Sequence, residues 1–170
     1  NTSRDFLLSN HIQGYAIDKI RYGLYYNNTL VSVMTFSKER ISLGNKIKKD
    51  VWEMNRFANK LNTTIIGGFS KLLKHFIIKQ KPEKIISYAD IRWSGYNTNN
   101  TVYFKNGFEF VGYTPINYWY LYKKNYLLRF HRFKFRKNVL LKEGHDPKLT
   151  EWEIMKKKGY DRIWDCGNMK

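Results

Sequence analysis

One cysteine in 170 residues leaves Cys166 without an intrachain partner, so no disulfide framework holds this chain and a reducing compartment is its expected setting. Of the three prolines, Pro82 closes a helical pattern and Pro115 separates two strand patterns. No run approaches the roughly 18 apolar residues of a membrane span. No basic-then-apolar signal pattern opens the sequence either. Acidic residues are the conspicuous shortage: 14 Asp and Glu stand against 31 Lys and Arg, a net charge of +17 and a pI near 9.9. Such an excess points to a polyanionic partner, with nucleic acid ahead of a membrane surface and of a merely soluble basic protein. A hydrophobic content of 42% with 17% aromatic residues is enough for a real core, and excludes a disordered chain.

Residues 5–10 read as a short helix capped by Ser3, with Phe6, Leu7 and Leu8 apolar behind it. His11 stands at the helix exit near Gly14, either as a solvated loop histidine or as a functional one. Residues 22–26 and 30–36 read as an antiparallel hairpin turned by Asn27-Asn28. Residues 37–50 read as a polar, basic loop, and residues 51–57 as a strand. Strand alternation puts Glu53 and Arg56 on opposite faces.

Gly67-Gly68 then opens an amphipathic helix over residues 69–79, with Phe69, Leu72, Leu73, Phe76 and Ile77 on its apolar side. A glycine turn before a helix presents backbone N–H groups at the positive end of the dipole, which suits an anion. Gly67, Gly68, Ser70 and Lys71 are therefore candidate cofactor-binding residues. Residues 85–89 form a nearly all-apolar strand, expected in the middle of a sheet. It ends at Asp90, where open sheets place ligands; the other reading of Asp90 is a helix or turn cap. Arg56 and Arg92 suit a carboxylate or phosphate through bidentate hydrogen bonds. Ser87 and Tyr103 either orient a ligand or serve as a strand-end hydroxyl and a core ring. Residues 101–105 read as one helical turn ended by Asn106-Gly107, and residues 108–113 and 118–122 as the last strands.

Between residues 123 and 142 the cations Lys123, Lys124, Arg129, Arg132, Lys134, Arg136, Lys137 and Lys142 occur with no acidic residue, interleaved with Tyr126, Phe130, Phe133 and Phe135. Cations neutralise phosphates and rings stack on exposed bases, so this segment, with Arg92, is the candidate nucleic-acid surface. The alternative is aromatics in the core and charges on a solvated face. Thr150 with Glu153 is a capping-box pattern opening a helix that Gly159 ends. These patterns divide the chain into residues 1–122, a central domain, and residues 123–170, a basic aromatic extension with a C-terminal helix packed on the same domain.

The order hairpin, strand, glycine turn, helix, strand, loop and short helix resembles the N-acetyltransferase (GNAT) fold. Tyr103-Phe104-Lys105-Asn106-Gly107-Phe108 is similar to that superfamily's tyrosine and Gly-Phe signature. The fold this implies is α/β (α+β): a central mixed, mostly antiparallel sheet flanked by helices, with a basic C-terminal extension. Within the superfamily the sequence resembles the Mom family of phage DNA adenine-modification proteins over roughly residues 10–113. The resemblance is carried by Asn10-His11, residues 23–36, Glu53-Met54-Asn55-Arg56-Phe57, residues 70–75, Ile86-Ser87-Tyr88-Ala89-Asp90 and residues 101–112. It implies a transferase acting on the adenine amino group of DNA, with iron held by His11 and Asp90 and completed by Glu53, water or substrate; imidazole and carboxylate are ordinary iron ligands. Ser87, Asp90 and Tyr103 are then the candidate catalytic residues. Acyl-CoA-binding members carry a Gln/Arg-x-x-Gly-x-Gly/Ala loop. Here Thr64 and Phe69 replace its first and last positions while Gly67 is retained, which argues against acyl-CoA as donor.

Nearly the whole chain, including residues 130–137 and 159–168, also resembles the C-terminal part of phage homing-type endonucleases, whose nuclease domain lies upstream. That resemblance implies a piece of a longer protein, in keeping with a first residue, Asn1, that is not Met. It offers the alternative function of a non-catalytic DNA-targeting domain. Either resemblance implies DNA as partner, no membrane, and the cytoplasm of a phage's host cell. Neither implies an oligomeric state.

Overall fold

The computed structural model describes residues 2–38 and 50–170, so most of the loop expected over residues 37–50 lies outside the described residues. The fold is mixed α+β, with mostly antiparallel sheets flanked by helices, as expected. Among the described residues no helix is long and apolar enough to cross a membrane. The chain divides into two compact units, Asn1–Ala89 with Asn97–Val111 and Lys170, and Asp90–Tyr96 with Gly112–Met169.

In the first unit α1 spans Thr2–Asn10, so Ser3 lies inside the helix rather than capping it. Strands β1 (Ile20–Tyr26) and β2 (Thr29–Lys38) form the expected hairpin. Asn27 and Asn28 both take positive φ, 45° and 59°, the conformation whose twist matches that of paired strands. β3 (Val51–Asn59) pairs antiparallel to β2, and the chain crosses through α2 (Gly68–Gln80) to β4 (Lys84–Ile86), which runs parallel to β3. The sheet order is β1-β2-β3-β4. The apolar stretch expected mid-sheet is therefore an edge strand of three residues. Its ladder ends at the pair Glu53↔Ile86, just before β3 bulges, and a two-residue strand β5 (Ala89–Asp90) follows Ser87 and Tyr88.

The periodicity of α2 buries Phe69, Leu72, Leu73 and Phe76 against Met34, Phe36, Trp52 and Met54 of the sheet. Phe76 is fully buried and stacks on Phe36 with centroids 3.6 Å apart; burial of such a ring contributes roughly 2–3 kcal/mol. On the opposite face α1 sets Leu7 against Val33 and Ala58.

The β2–β3 register corrects the expected separation of Glu53 and Arg56. Thr35 pairs with Arg56 and Phe36 with Met54, so Asn55 is an extra residue on β3. A bulge shifts alternation by one. Glu53 and Arg56 consequently share the α1 face, in line with Ser37 and Thr35. Asn55 is held in the bulge by its amide, which accepts from the Ser37 hydroxyl at 3.0 Å and donates to the Ile17 carbonyl at 2.9 Å.

The second unit contains α3 (Ile91–Ser94), β6 (Tyr118–Tyr122), β7 (Asn125–His131), α4 (Lys137–Lys142), α5 (Glu151–Lys157), β8 (Tyr160–Trp164) and β9 (Asn168–Met169). β6 is the middle strand of an antiparallel β7-β6-β8 sheet. Two expectations are corrected here. Residues 108–113 form no strand beyond a single bridge from Tyr113 to Met169. A boundary between residues 122 and 123 falls in the turn joining two paired strands, so the basic segment begins inside the sheet. Its Phe130 and Phe135 pack on a core of Tyr120, Leu140, Ile154 and Met155. The Thr150–Glu153 capping box of α5 forms as expected.

Candidate functional site

Four sequence-selected side chains gather within the first unit. The exit of α1 carries His11, whose Nδ1 accepts the Gln13 N–H at 3.0 Å. In the neutral ring the proton therefore sits on Nε2, which is a donor. Burial, helped by the neighbouring Arg56 guanidinium, lowers the His11 pKa from 6.5 to about 4, so the imidazole is neutral at pH 7. The bulge brings Arg56 to this face, where Nε donates to the Gly14 carbonyl at 3.0 Å and Nη1 to the Asn55 carbonyl at 2.8 Å. These bonds fix the guanidinium plane. Buried Ser87 follows β4, and its hydroxyl donates to the Met54 carbonyl at 3.4 Å and bonds Tyr103. The Tyr103 ring meets Phe69 and Phe108 edge-on. Burial raises its pKa, against the opposing pull of Ser87 and Arg56.

Arg56 is thus electrostatically coupled to both His11 and Tyr103, residues separated in sequence by most of the unit. An imidazole N–H, a guanidinium and two hydroxyls make a set dominated by donors, suited to a carboxylate, a phosphate or a developing oxyanion. One buried group in this sheet face escaped sequence reasoning. Fully buried Thr35 lies in the cross-strand row between Arg21 and Arg56, and its hydroxyl has no hydrogen-bond partner among the described residues. A hydroxyl inside an apolar-looking strand is the only signal it offers.

The remaining first-unit candidates lie at the start of α2. Gly67 has φ 69°, a conformation costly for other residues. Gly68 is buried, and a Cβ there would stand 3.0 Å from Ile65 Cγ2. Both glycines thus have a local backbone reason. Ser70 is exposed and donates to the Gly67 carbonyl at 3.1 Å, and Lys71 is exposed.

Asp90 and Arg92 belong to the second unit. Asp90 is the N-cap of α3, its Oδ1 accepting the Arg92 N–H at 2.9 Å, and the Arg92 Nη2 donates to the Trp164 carbonyl at 3.3 Å. Among the described residues no group of three His, Cys, Asp or Glu side chains converges as a metal site. Of the expected iron ligands, His11 is the one imidazole of the cluster, buried Glu53 lies on the same sheet face as Arg56, and Asp90 is engaged as the α3 cap. Asp165 Oδ1 accepts the Asn117 and Gly167 N–H groups at 2.8 and 3.0 Å, a structural duty, and Cys166 is half-buried and unpaired.

The basic segment is layered with rings. The Arg129 guanidinium lies 4.9 Å from the Trp119 ring and the Arg136 guanidinium 3.8 Å from Phe133. Arg132 lies over Tyr118 at 5.2 Å, and the Lys134 ammonium is 5.5 Å from Phe130. Lys123, Lys124, Arg129, Lys134 and Arg136 are exposed, while Lys137 is half-buried and donates to the Asp146 carbonyl at 3.4 Å. Trp119 and His131 belong to this array but were not among the sequence-selected residues. The alternation of Tyr118, Tyr120 and Tyr122 against Trp119 was the available signal.

No protein-family model matches the chain, and no curated protein is significantly similar to its sequence.

Proposed function

We propose that the protein is a DNA-acting transferase of GNAT type, similar to the Mom family, that modifies the exocyclic amino group of adenine. The observation carrying this reading is the Arg56-centred cluster. Three residues that the resemblance selects from distant parts of the chain, His11, Ser87 and Tyr103, meet around an arginine that a bulge turns toward them. The target amino group must enter such a site, so the base leaves the helical stack. Arg56 binds the anionic group of the donor or of the flanking phosphate. The His11 Nε2–H and the Tyr103 hydroxyl donate to oxygen that gains charge as the amine attacks. The cations of residues 123–137 and Arg92 hold the phosphates.

Nucleoside mass spectrometry on host DNA after expression tests the reading. A new adenine derivative is expected with the wild type, and its loss is expected in His11→Ala and in Tyr103→Phe, the latter preserving the ring packing. Unmodified DNA from the wild type, or a derivative retained in both variants, overturns it.

One observation favours a second reading, a DNA-targeting domain without chemistry of its own. Asp90, the carboxylate that the enzymatic resemblance needs most, caps α3. That reading predicts duplex binding of equal strength in the wild type and in His11→Ala.

A further inference from the structure

The β7-β6-β8 sheet buries one face. Tyr120 points toward α4 and α5 and is fully buried with Leu140, Ile154 and Met155. By strand alternation Trp119, Arg129, His131 and Ile163 point the other way. Register confirms the row: Trp119 is paired with His131 on one side and with Ile163 on the other, and Leu121 with Arg129. The unit's core lies on the opposite face, and Ile163 is 39% and Phe133 41% exposed. The His131 ring meets Trp119 and Phe133 edge-on at centroid distances of 4.8 and 4.6 Å. The three rings therefore form a ladder that runs off the edge of the sheet. Arginines cover its two ends, Arg129 at Trp119 and Arg136 at Phe133. Among the described members of this array the charge is positive, apart from Asp161 opposite Leu121.

We propose that this face is a stacking platform for unpaired bases of single-stranded DNA, with Trp119 and Phe133 as the rings and Arg129 and Arg136 as the phosphate ligands. The two guanidiniums lie on the ring faces that bases would cover. On binding they move to the backbone phosphates, exchanging a cation–π contact for a charge-assisted hydrogen bond. His131, wedged between the rings, sets their separation. Its Nδ1 accepts the Phe133 N–H at 3.3 Å, which anchors the turn carrying Phe133 to the end of β7. A duplex offers a protein groove edges and phosphates, whereas ring faces become accessible only when bases leave the stack. The occupant is thus a single strand or an opened segment, which deepens the proposed adenine-modifying function and rests on it for the choice of DNA.

The test is fluorescence polarisation at about 50 mM salt with a labelled mixed-sequence single strand and a blunt duplex of equal length. The wild type is expected to bind the single strand more tightly. Trp119→Leu and Phe133→Leu are each expected to weaken single-strand binding roughly 5- to 100-fold, with duplex binding changed less than about twofold. Trp119→Phe should restore most of the loss. Phe133 is exposed on a short turn, so its variant serves even if Trp119→Leu does not fold, as circular dichroism would report. Unchanged single-strand binding in folded Phe133→Leu, or equal losses on both substrates, overturns the platform. In either case, continued base modification would leave the adenine-modifying reading intact. Absence of binding to either form removes both.

Discussion

His11 illustrates how much one residue's surroundings decide. Burial disfavours the imidazolium and Arg56 repels it, so the folded-state pKa is about 4 against 6.5 for the ordinary group. Between those values the unfolded chain takes up a proton that the folded chain refuses. Stability is accordingly full above pH 6.5 and is lost as pH falls toward 4. His11→Gln removes this titration, so its melting temperature is expected to fall less steeply than the wild type's over that window; parallel curves would show that His11 is not held neutral. Gly67 is the second residue of this kind. Its φ of 69° is open to glycine, and Gly67→Ala is expected to cost about 1–2 kcal/mol in chemical denaturation. An unchanged midpoint would mean that the turn reshapes without strain.

At the scale of elements the β3 bulge matters most. Deleting Asn55 makes Arg56 the residue directly after Met54, so simple alternation keeps Met54 on the α2 side and Arg56 on the α1 side. The deletion removes the bonds of the Asn55 amide to Ser37 and Ile17, so the variant is expected to keep a cooperative melt at a lower midpoint, read by circular dichroism; loss of cooperative unfolding would refute the register. The α5 capping box is a smaller and more local device. Thr150 Oγ1 accepts the Glu153 N–H at 3.2 Å while Glu153 Oε2 accepts the Thr150 N–H at 2.7 Å. Thr150→Ala is expected to cost about 1 kcal/mol, visible as a lower denaturation midpoint. The two features differ in legibility. Thr150 and Glu153 stand three apart and announce their cap in the sequence. The Asn55 bulge depends on which residue of β2 lies opposite, and that information sits some twenty positions away. The same limit hid β7: Arg129 and the lysines of the preceding turn masked a strand whose existence depends on pairing with β6.

Over the whole molecule the net charge of +17 governs encounter with a polyanion. Each cation that displaces a counterion from DNA contributes about one to the slope of log affinity against log salt. Neutralising Arg129, Lys134 and Arg136 together is expected to weaken DNA binding and to reduce that slope by up to about three. Lys137, which is tied to the Asp146 carbonyl, should contribute less when changed alone. A triple variant with the parent's slope would move the interface elsewhere on the protein.

The sequence by itself determined what neighbouring residues settle among themselves: the Asn27-Asn28 hairpin, the apolar stripe of α2, the caps, the glycine turns and the basic charge. It also picked out His11, Ser87 and Tyr103 through a family likeness, and Arg56 through the anion-binding chemistry of its guanidinium. Only the tertiary structure decided that Glu53 and Arg56 share a face, that Asp90 caps a helix in the second unit, and that Trp119 and His131 join the cations on a sheet face away from that unit's core. The reason is physical. Helix and turn propensities act over a few residues, whereas strand register and bulges are set by partners distant in the chain, and a single inserted residue reverses which side chains meet.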